Sequence, residues 1–318
     1  MRFIEFKEPN FTCTVSDPAG ELPKRYYFFA KSAKDLLPIL QARQLTPTSP
    51  IKKYDFKTWK DRAKIAARAA NRAKNKNYDY NAQIWAEIKQ YLFFLTNDRC
   101  GYCEAMVRVT SPGDVEHYRP KRTPEEDKKH PGYYWLAYDI ENYVPCCTNC
   151  NAVRGKRSRF PVMPRTRRAK GPRDLRSEKP VLLNPFKQKD LHKHIEFIGP
   201  EHPNRFRDGT DRFGQLEGLT YQGKESIRIY NLNRGDLVRV REKAFNHFKD
   251  RLRMAEIDDE LRQRIMAEYK AGELEYYLML TPVVRHWIAK RELEEKAKIE
   301  RANLNLKAFE NERKMLGL

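Results

Sequence analysis

Two Cys-x-x-Cys pairs, Cys100/Cys103 and Cys147/Cys150, constrain this chain more than any other feature. Each short turn presents two thiolates to one ion, and four thiolates are the ligand set of a tetrahedral structural zinc. Knuckle pairs of this kind are commonly about 15–20 residues apart, whereas here the second pair begins 44 positions after the first ends. A zinc would therefore staple the ends of an insert long enough to carry chemistry. The competing reading is two disulfides or four unrelated core thiols. Only six cysteines occur in 318 residues, and the charged start (Arg2, Glu5, Lys7, Glu8) carries no apolar leader. No run approaches the roughly 18 apolar residues of a membrane span. A cytoplasmic, reducing setting is expected, where disulfides are rare. Cys146 abuts the second pair, but Cys147 and Cys150 have the two-residue gap. Cys13 reads as a small hydrophobe.

Inside the insert lies Asp114-Val115-Glu116-His117-Tyr118-Arg119-Pro120-Lys121 and, further on, Asn142. In an extended strand the carboxylates of Asp114 and Glu116 project to one side and His117 to the other. A carboxylate beside an imidazole suits metal-assisted phosphodiester hydrolysis: an acidic oxygen holds a hard divalent cation, and the histidine takes a proton from the attacking water. Imidazole titrates near pH 6.5, appropriate for a general base. Asn142 is a candidate to orient that imidazole, and Asn151, just past the last cysteine, offers a further oxygen ligand. Taken singly, a histidine is more often structural, and an asparagine more often marks a turn. The order is what is specific: cysteine pair, acid-His, Asn, cysteine pair, Asn, then the basic Arg154-Gly155-Lys156-Arg157.

That order resembles the HNH endonuclease family, in which a β-hairpin and a helix grip one catalytic metal in the ββα-metal arrangement. The resemblance implies His117 as general base, Asn142 as the residue that positions it, and Asn151 as a metal ligand. Glu116 stands where the family more often has Asp and is the implied acidic ligand, with Asp114 its substitute. Magnesium or manganese is the implied catalytic ion, beside the structural zinc. A narrower likeness runs over about residues 90–242, through Cys100-Gly101-Tyr102-Cys103-Glu104, Glu116 to Lys121, Tyr134-Trp135-Leu136, Cys150-Asn151, Phe160-Pro161, Leu182 to Pro185 and Leu232-Asn233-Arg234. It is similar to the PtuB-like HNH proteins of Septu and retron-associated bacterial antiphage defence systems. That implies an antiphage role, often with an ATPase partner; the chain has no Walker-type glycine-rich loop of its own.

Charge agrees with a polyanion partner. Lys plus Arg number 63 against 43 acidic residues, a formal charge of +20. Between Arg154 and Lys179 eleven basic residues face only Asp174 and Glu178, and Pro161, Pro164, Gly171 and Pro172 make this stretch a loop that can follow a nucleic-acid backbone. Residues Phe56 to Lys74 read as a helix with Lys60, Lys64, Arg68 and Arg72 in one stripe opposite Trp59, Ala63, Ala66 and Ala70. Like charges at that spacing repel by a few tenths of a kcal/mol per pair, which phosphate would relieve; a solvated face is the plain alternative. The expected nucleic-acid contacts are Arg119, Lys121, Arg154, Lys156, Arg157, Lys60, Lys64 and Arg68.

The expected fold is α+β and helix-dominated: a ββα-metal core stapled by a four-cysteine zinc, with a helical C-terminal extension. Arg2 to Phe6 and Tyr26 to Phe29 read as strands; Ala33 to Gln44 and residues 82–97 read as helices. Val181 to Tyr230 offers short strands such as Ile227-Arg228-Ile229. Asp236 caps a helix, and Gly272 and Pro282 divide the tail into at least three, the last from about Val283 to Met315. His192 and His194 lack a matching cysteine or carboxylate cluster. The expected divisions are 1–90, an N-terminal region with the basic helix; 91–180, the nuclease core; and 181–318, short strands then helices. The function expected is an HNH endonuclease in antiphage defence acting on DNA, with RNA as a second possibility and no membrane partner. The alternatives are a zinc-stabilised nucleic-acid-binding or assembly module without catalysis, and a restriction or mobile-element HNH nuclease.

Overall fold

The structure is a computed structural model that describes residues 4–16, 24–74, 78–107, 111–152, 154–271, 274 and 276–315. The chain divides into two compact units, Met1–Arg241 and Glu242–Leu318. The expected divisions near residues 90 and 180 both lie inside the first unit.

Strand β1 (Phe11–Ser16) alternates apolar and hydroxyl side chains, so Phe11, Cys13 and Val15 face inward and Thr12, Thr14 and Ser16 outward. It pairs antiparallel with β2 (Lys24–Phe28) on one side and with two-residue strands β3 (Thr46–Pro47) and β4 (Lys52–Lys53) on the other. Helix α1 (Ala33–Ala42), capped by Ser32 accepting from the Asp35 N–H, closes this sheet with Leu36 and Leu40. Of the strand expected at Arg2 to Phe6, the first two residues lie outside the described residues, and Ile4–Phe6 carry no regular structure.

Helix α2 (Phe56–Ala73) begins at Asp55, whose carboxylate accepts from the Lys57 N–H, and buries Phe56, Trp59, Ala63 and Ala70. Helix α3 (Gln83–Leu95) buries Ile84, Ile88, Tyr91 and Leu92 at helical spacing. The indole N–H of Trp59 donates to the Ile84 carbonyl at 2.8 Å and locks the two together. Ala137, Tyr138 and Tyr143 of the insert join their core, so the two helices form the wall on which the insert is built.

The insert supplies β5 (Asp114–His117) and β6 (Tyr143–Cys146), antiparallel with Asp114 opposite Cys146 and His117 opposite Tyr143. Helix α4 (Thr148–Asn151) follows at once and rests against β5. Beyond the basic loop, β7 (Ile195–Phe197) pairs with β8 (Leu216–Gly218). The stretch Ile227-Arg228-Ile229, expected as a strand, ends helix α5 (Tyr221–Ile229) instead. The Thr220 hydroxyl accepts from the Gly223 N–H, and Gly223, Ser226 and Ile229 are buried three residues apart. An N-cap plus a helical burial period outweighs two β-branched residues.

Helix α6 (Gly235–Met254) crosses the division between the units. In the second unit, α7 (Asp259–Ala271) and α8 (Tyr277–Met315) follow. Glu256 accepts from the Trp287 indole at 2.7 Å and from Arg291 at 2.8 Å. Pro282 does not divide the tail: α8 passes through it in its second turn, where the missing N–H removes one i→i−4 hydrogen bond. From Glu292 to Arg301 the helix is exposed. Among the described residues no helix is long and apolar enough to cross a membrane.

Candidate active site

The four knuckle cysteines converge, all Sγ atoms lying within 4.8 Å of one another. The Cys103 and Cys147 sulfurs are 3.8 Å apart. Four sulfurs at about 2.3 Å from a tetrahedral zinc are spaced by about 3.8 Å, whereas a disulfide needs about 2.05 Å. Donor set, spacing and burial therefore fit one zinc and not two disulfides. The first turn is closed by Glu104 N–H donating to the Cys100 carbonyl at 2.9 Å, and Gly101 N–H donates to the Pro145 carbonyl at 2.8 Å, tying it to β6. Cys147 is the N-cap of α4, so cysteine cluster, hairpin and helix form one assembly. Cys146 is buried and outside the cluster, as is Cys13.

His117 is 5 % exposed. Its Nε2 lies 2.9 Å from the Ala137 carbonyl. A carbonyl only accepts, so Nε2 carries the proton and Nδ1 keeps a lone pair. Burial, aided by the nearby Lys121 charge, holds this imidazole well below its ordinary pKa and keeps it neutral. Trp85 of α3 and Tyr143 of β6 both meet its ring edge-on with centroids 5.1 Å away.

Asn142, expected to hydrogen-bond that imidazole, works on the backbone instead. Its Oδ1 accepts from Arg119 N–H at 2.8 Å, and its Nδ2 donates to the carbonyls of Arg119 at 2.9 Å and Leu136 at 3.2 Å. It ties the end of β5 to the turn whose next carbonyl, Ala137, holds His117. The orienting group is therefore a main-chain oxygen with no side-chain signature in sequence.

The three candidate metal ligands separate. Asn151 Nδ2 contacts Asp114 Oδ2 at 3.2 Å, bringing α4 and β5 together. Glu116 is 4 % exposed, and Lys156 Nζ sits 2.6 Å from its carboxylate. Burial raises the Glu116 pKa while Lys156 opposes the rise. Lys156 also donates to the His117 carbonyl at 3.1 Å and is 0 % exposed. Its place among nucleic-acid contacts is corrected: Gly155 lets the chain turn inward, since a Cβ there would meet the Cys150 carbonyl oxygen at 2.2 Å, and the lysine enters the core as the partner of a buried acid. Removing one member of such a pair strands a charge. Lys156→Met is expected to lower unfolding stability by about 3–5 kcal/mol, and Glu116→Met with Lys156→Met to recover most of it, measured by denaturant titration. A single variant as stable as the parent would refute the pairing.

Arg119 is also drawn inward. Its Nε donates to Glu178 at 2.9 Å, and Tyr133 and the Ala169 N–H satisfy the same carboxylate. Lys121 is mostly covered, its Nζ 5.0 Å above the Trp85 ring. Burial holds its pKa down against the pull of Glu116. Arg154 and Arg157 are exposed, as are Arg165, Arg167, Lys170, Arg173, Arg176 and Lys179 further along the loop, while Arg168 is turned in to Tyr133 and Phe160. On α2, Lys64, Arg68 and Arg72 are exposed; Lys60 reaches Glu8 at 2.9 Å.

A second cluster, Glu196, His202 and Glu217, is an ordinary polar network. His202 Nδ1 accepts from the Asn204 N–H at 3.1 Å, so Nε2 bears the proton and gives it to Glu196 at 2.7 Å. No lone pair is left for a metal. His194 is likewise spent on Thr220 and Gln188.

Strands β5 and β6 and helix α4 thus form one ββα unit beside a four-cysteine group that could hold a structural metal such as zinc. Particular relatives are known. The chain is a homologue of the Septu protein PtuB of Bacillus mycoides (strain KBAB4), 32 % identical over 183 residues, which cover 56 % of this chain and 58 % of PtuB. It is also 27 % identical over 172 residues to the Septu protein PtuA of the same strain, covering 51 % of this chain and 21 % of PtuA. The chain thus spans little more than half of one curated relative and about a fifth of the other. No protein-family model matches it, and no solved structure matches it.

Proposed function

We propose that this chain is a metal-dependent endonuclease of the HNH, ββα-metal type that hydrolyses nucleic-acid phosphodiester bonds, DNA in the first place, within a bacterial antiphage defence system. The reading is carried by one strand-pair-and-helix unit that holds a neutral histidine with a free Nδ1 together with an acid–amide pair. The Septu relatives supply the biological setting. An ATPase subunit is the companion proposed, as the resemblance to Septu-type defence proteins implies; the two curated relatives, PtuB and PtuA, are both Septu proteins.

Asp114 and Asn151 fit a hard divalent ion. The two ends of the Asn151 amide exchange by a simple rotation, which would set two oxygens side by side; magnesium is typically held by one or two carboxylates plus water and phosphate. Bound Mg2+ or Mn2+ would supply charge stabilisation at the phosphate oxygens. His117 Nδ1 takes the proton of the attacking water while the Ala137 carbonyl retains Nε2–H and so fixes the ring. Asn142 keeps that carbonyl in place through Leu136 and Arg119. Zinc held by the cysteines has a structural part only.

The test is cleavage of plasmid DNA and of RNA by purified protein with Mg2+ or Mn2+, abolished by a chelator of those ions that leaves zinc bound. No cleavage of either substrate would favour the second reading, a zinc-stabilised binding or assembly module. That reading draws on the near-complete burial of His117 and the Glu116–Lys156 pair. Nucleic-acid binding by the loop is tested separately. Replacing exposed Arg165, Arg167 and Arg173 by Gln should weaken binding to all sequences alike and flatten the log–log salt slope by about 0.7–0.9 per lost phosphate contact. An unchanged slope would locate the backbone contacts elsewhere.

A further inference from the structure

A buried set of four thiolates around zinc carries two net negative charges, and a protein interior must offset them. One guanidinium lies against them and offsets half of that charge. Arg234 Nη1 lies 3.7 Å from Cys150 Sγ and its Nη2 lies 3.7 Å from Cys103 Sγ, both within N–H···S range. One guanidinium thus bridges the two cysteine pairs, touching one sulfur from each. It comes from 131 residues beyond Cys103, so no local motif supplies it. Its side chain is 13 % exposed, and it is braced by donation to the Asn231 carbonyl at 3.2 Å. Its second ionic partner, Asp236, is at 3.4 Å but 59 % exposed, so the sulfurs are its buried partners. The same segment is clamped a second time. Tyr102, between Cys100 and Cys103, stacks on Tyr230 with centroids 4.0 Å apart.

From this geometry we infer that Arg234 is the charge-compensating residue of the zinc knuckle: its guanidinium donates to the Cys103 and Cys150 thiolates and governs how firmly the ion is retained. This rests on the zinc reading of the cysteine cluster. A planar fork with two donors reaches two sulfurs at once, which a lysine ammonium does not do with the same geometry. Outer partners of metal ligands typically contribute about 10–100-fold to metal affinity.

The experiment is zinc transfer from the full-length protein to a chromophoric chelator, followed over time, for the parent, Arg234→Gln and Arg234→Lys. Arg234→Gln is expected to release zinc about 10–100-fold faster and Arg234→Lys to fall between. Arg251→Gln, which breaks the pairing with Glu268 and the contact with the Phe248 ring, should match the parent. Cobalt substitution gives a readout independent of folding, since loss of two N–H donors should shift the sulfur-to-cobalt charge-transfer bands while the four-coordinate ligand-field pattern persists. Parent-like release together with an unshifted cobalt spectrum in Arg234→Gln would overturn the inference. Parent protein without zinc would instead remove the zinc reading beneath it.

Discussion

Purified His117→Ala protein is expected to lose cleavage by about 10²–10⁴-fold, the usual effect of removing a general base, while zinc content, folding and nucleic-acid binding persist. The cysteine cluster and the exposed loop arginines are untouched by the change, and the ring's own bond goes to a main-chain oxygen. Losing the ring does leave a gap beside Trp85 and Tyr143, so a melting curve must accompany the assay. Asn151→Ala should fail differently. It removes the amide beside Asp114 and leaves the base intact, so excess Mn2+ or Mg2+ should restore part of its activity and none of the His117 variant's. The pH profile adds a sign. The folded His117 pKa lies well below 6.5, so the base stays unprotonated and activity should hold as pH falls through 6.5, with the acid limb beginning lower. The unfolded ring binds its proton near pH 6.5, so the stability His117 contributes is present above that value and declines as pH falls below it. Full cleavage by His117→Ala, with contaminating nuclease excluded, would end the hydrolytic assignment.

Much of the scaffold was legible because its signals are local. The period of Trp59, Ala63 and Ala70, and of Ile84, Ile88 and Leu92, gave α2 and α3 nearly to the residue. The two-residue gap in each cysteine pair identified the four sulfurs that meet. Strand β1, absent from the expected elements, nonetheless carries a local signal, since Phe11-Thr12-Cys13-Thr14-Val15-Ser16 alternates strictly with period 2. The ending of α5 misled because Ile227 and Ile229 suit a strand, and only the Thr220 cap says otherwise. The hidden features are long-range. Lys156 sits in a run of cations and looks solvated until the chain turns at Gly155 and delivers it to Glu116, 40 residues back. Arg234 is 84 residues from Cys150, and Ala137 acts through a carbonyl that every residue possesses.

Cys100→Ser or Cys147→Ser is expected to dismantle the knuckle, not merely slow a reaction. Structural zinc in small cysteine and histidine sites contributes about 10–16 kcal/mol of apparent binding free energy that is spent on folding. Here the ion would be the only covalent-strength link between the turn at Cys100–Cys103 and the hairpin end at Cys147–Cys150, since all six cysteines are free of disulfides. Without it, three thiols and a guanidinium face each other with no ion to organise them. Amide exchange should therefore accelerate at Glu104, which donates to the Cys100 carbonyl, and at Ala152, which donates to the Thr148 carbonyl. It should stay slow at α2 and α3, whose core closes around Trp59 and Ile88. Cys13→Ala, in the separate N-terminal sheet, should leave the zinc stoichiometry at one per chain. Because β6 and α4 are joined only through Cys147, Asn151 would lose its register against Asp114, and cleavage should vanish together with the protection. Native protein lacking zinc, or a Cys100→Ser variant with full zinc and parent-like exchange at Glu104, would contradict this account of what holds the site together.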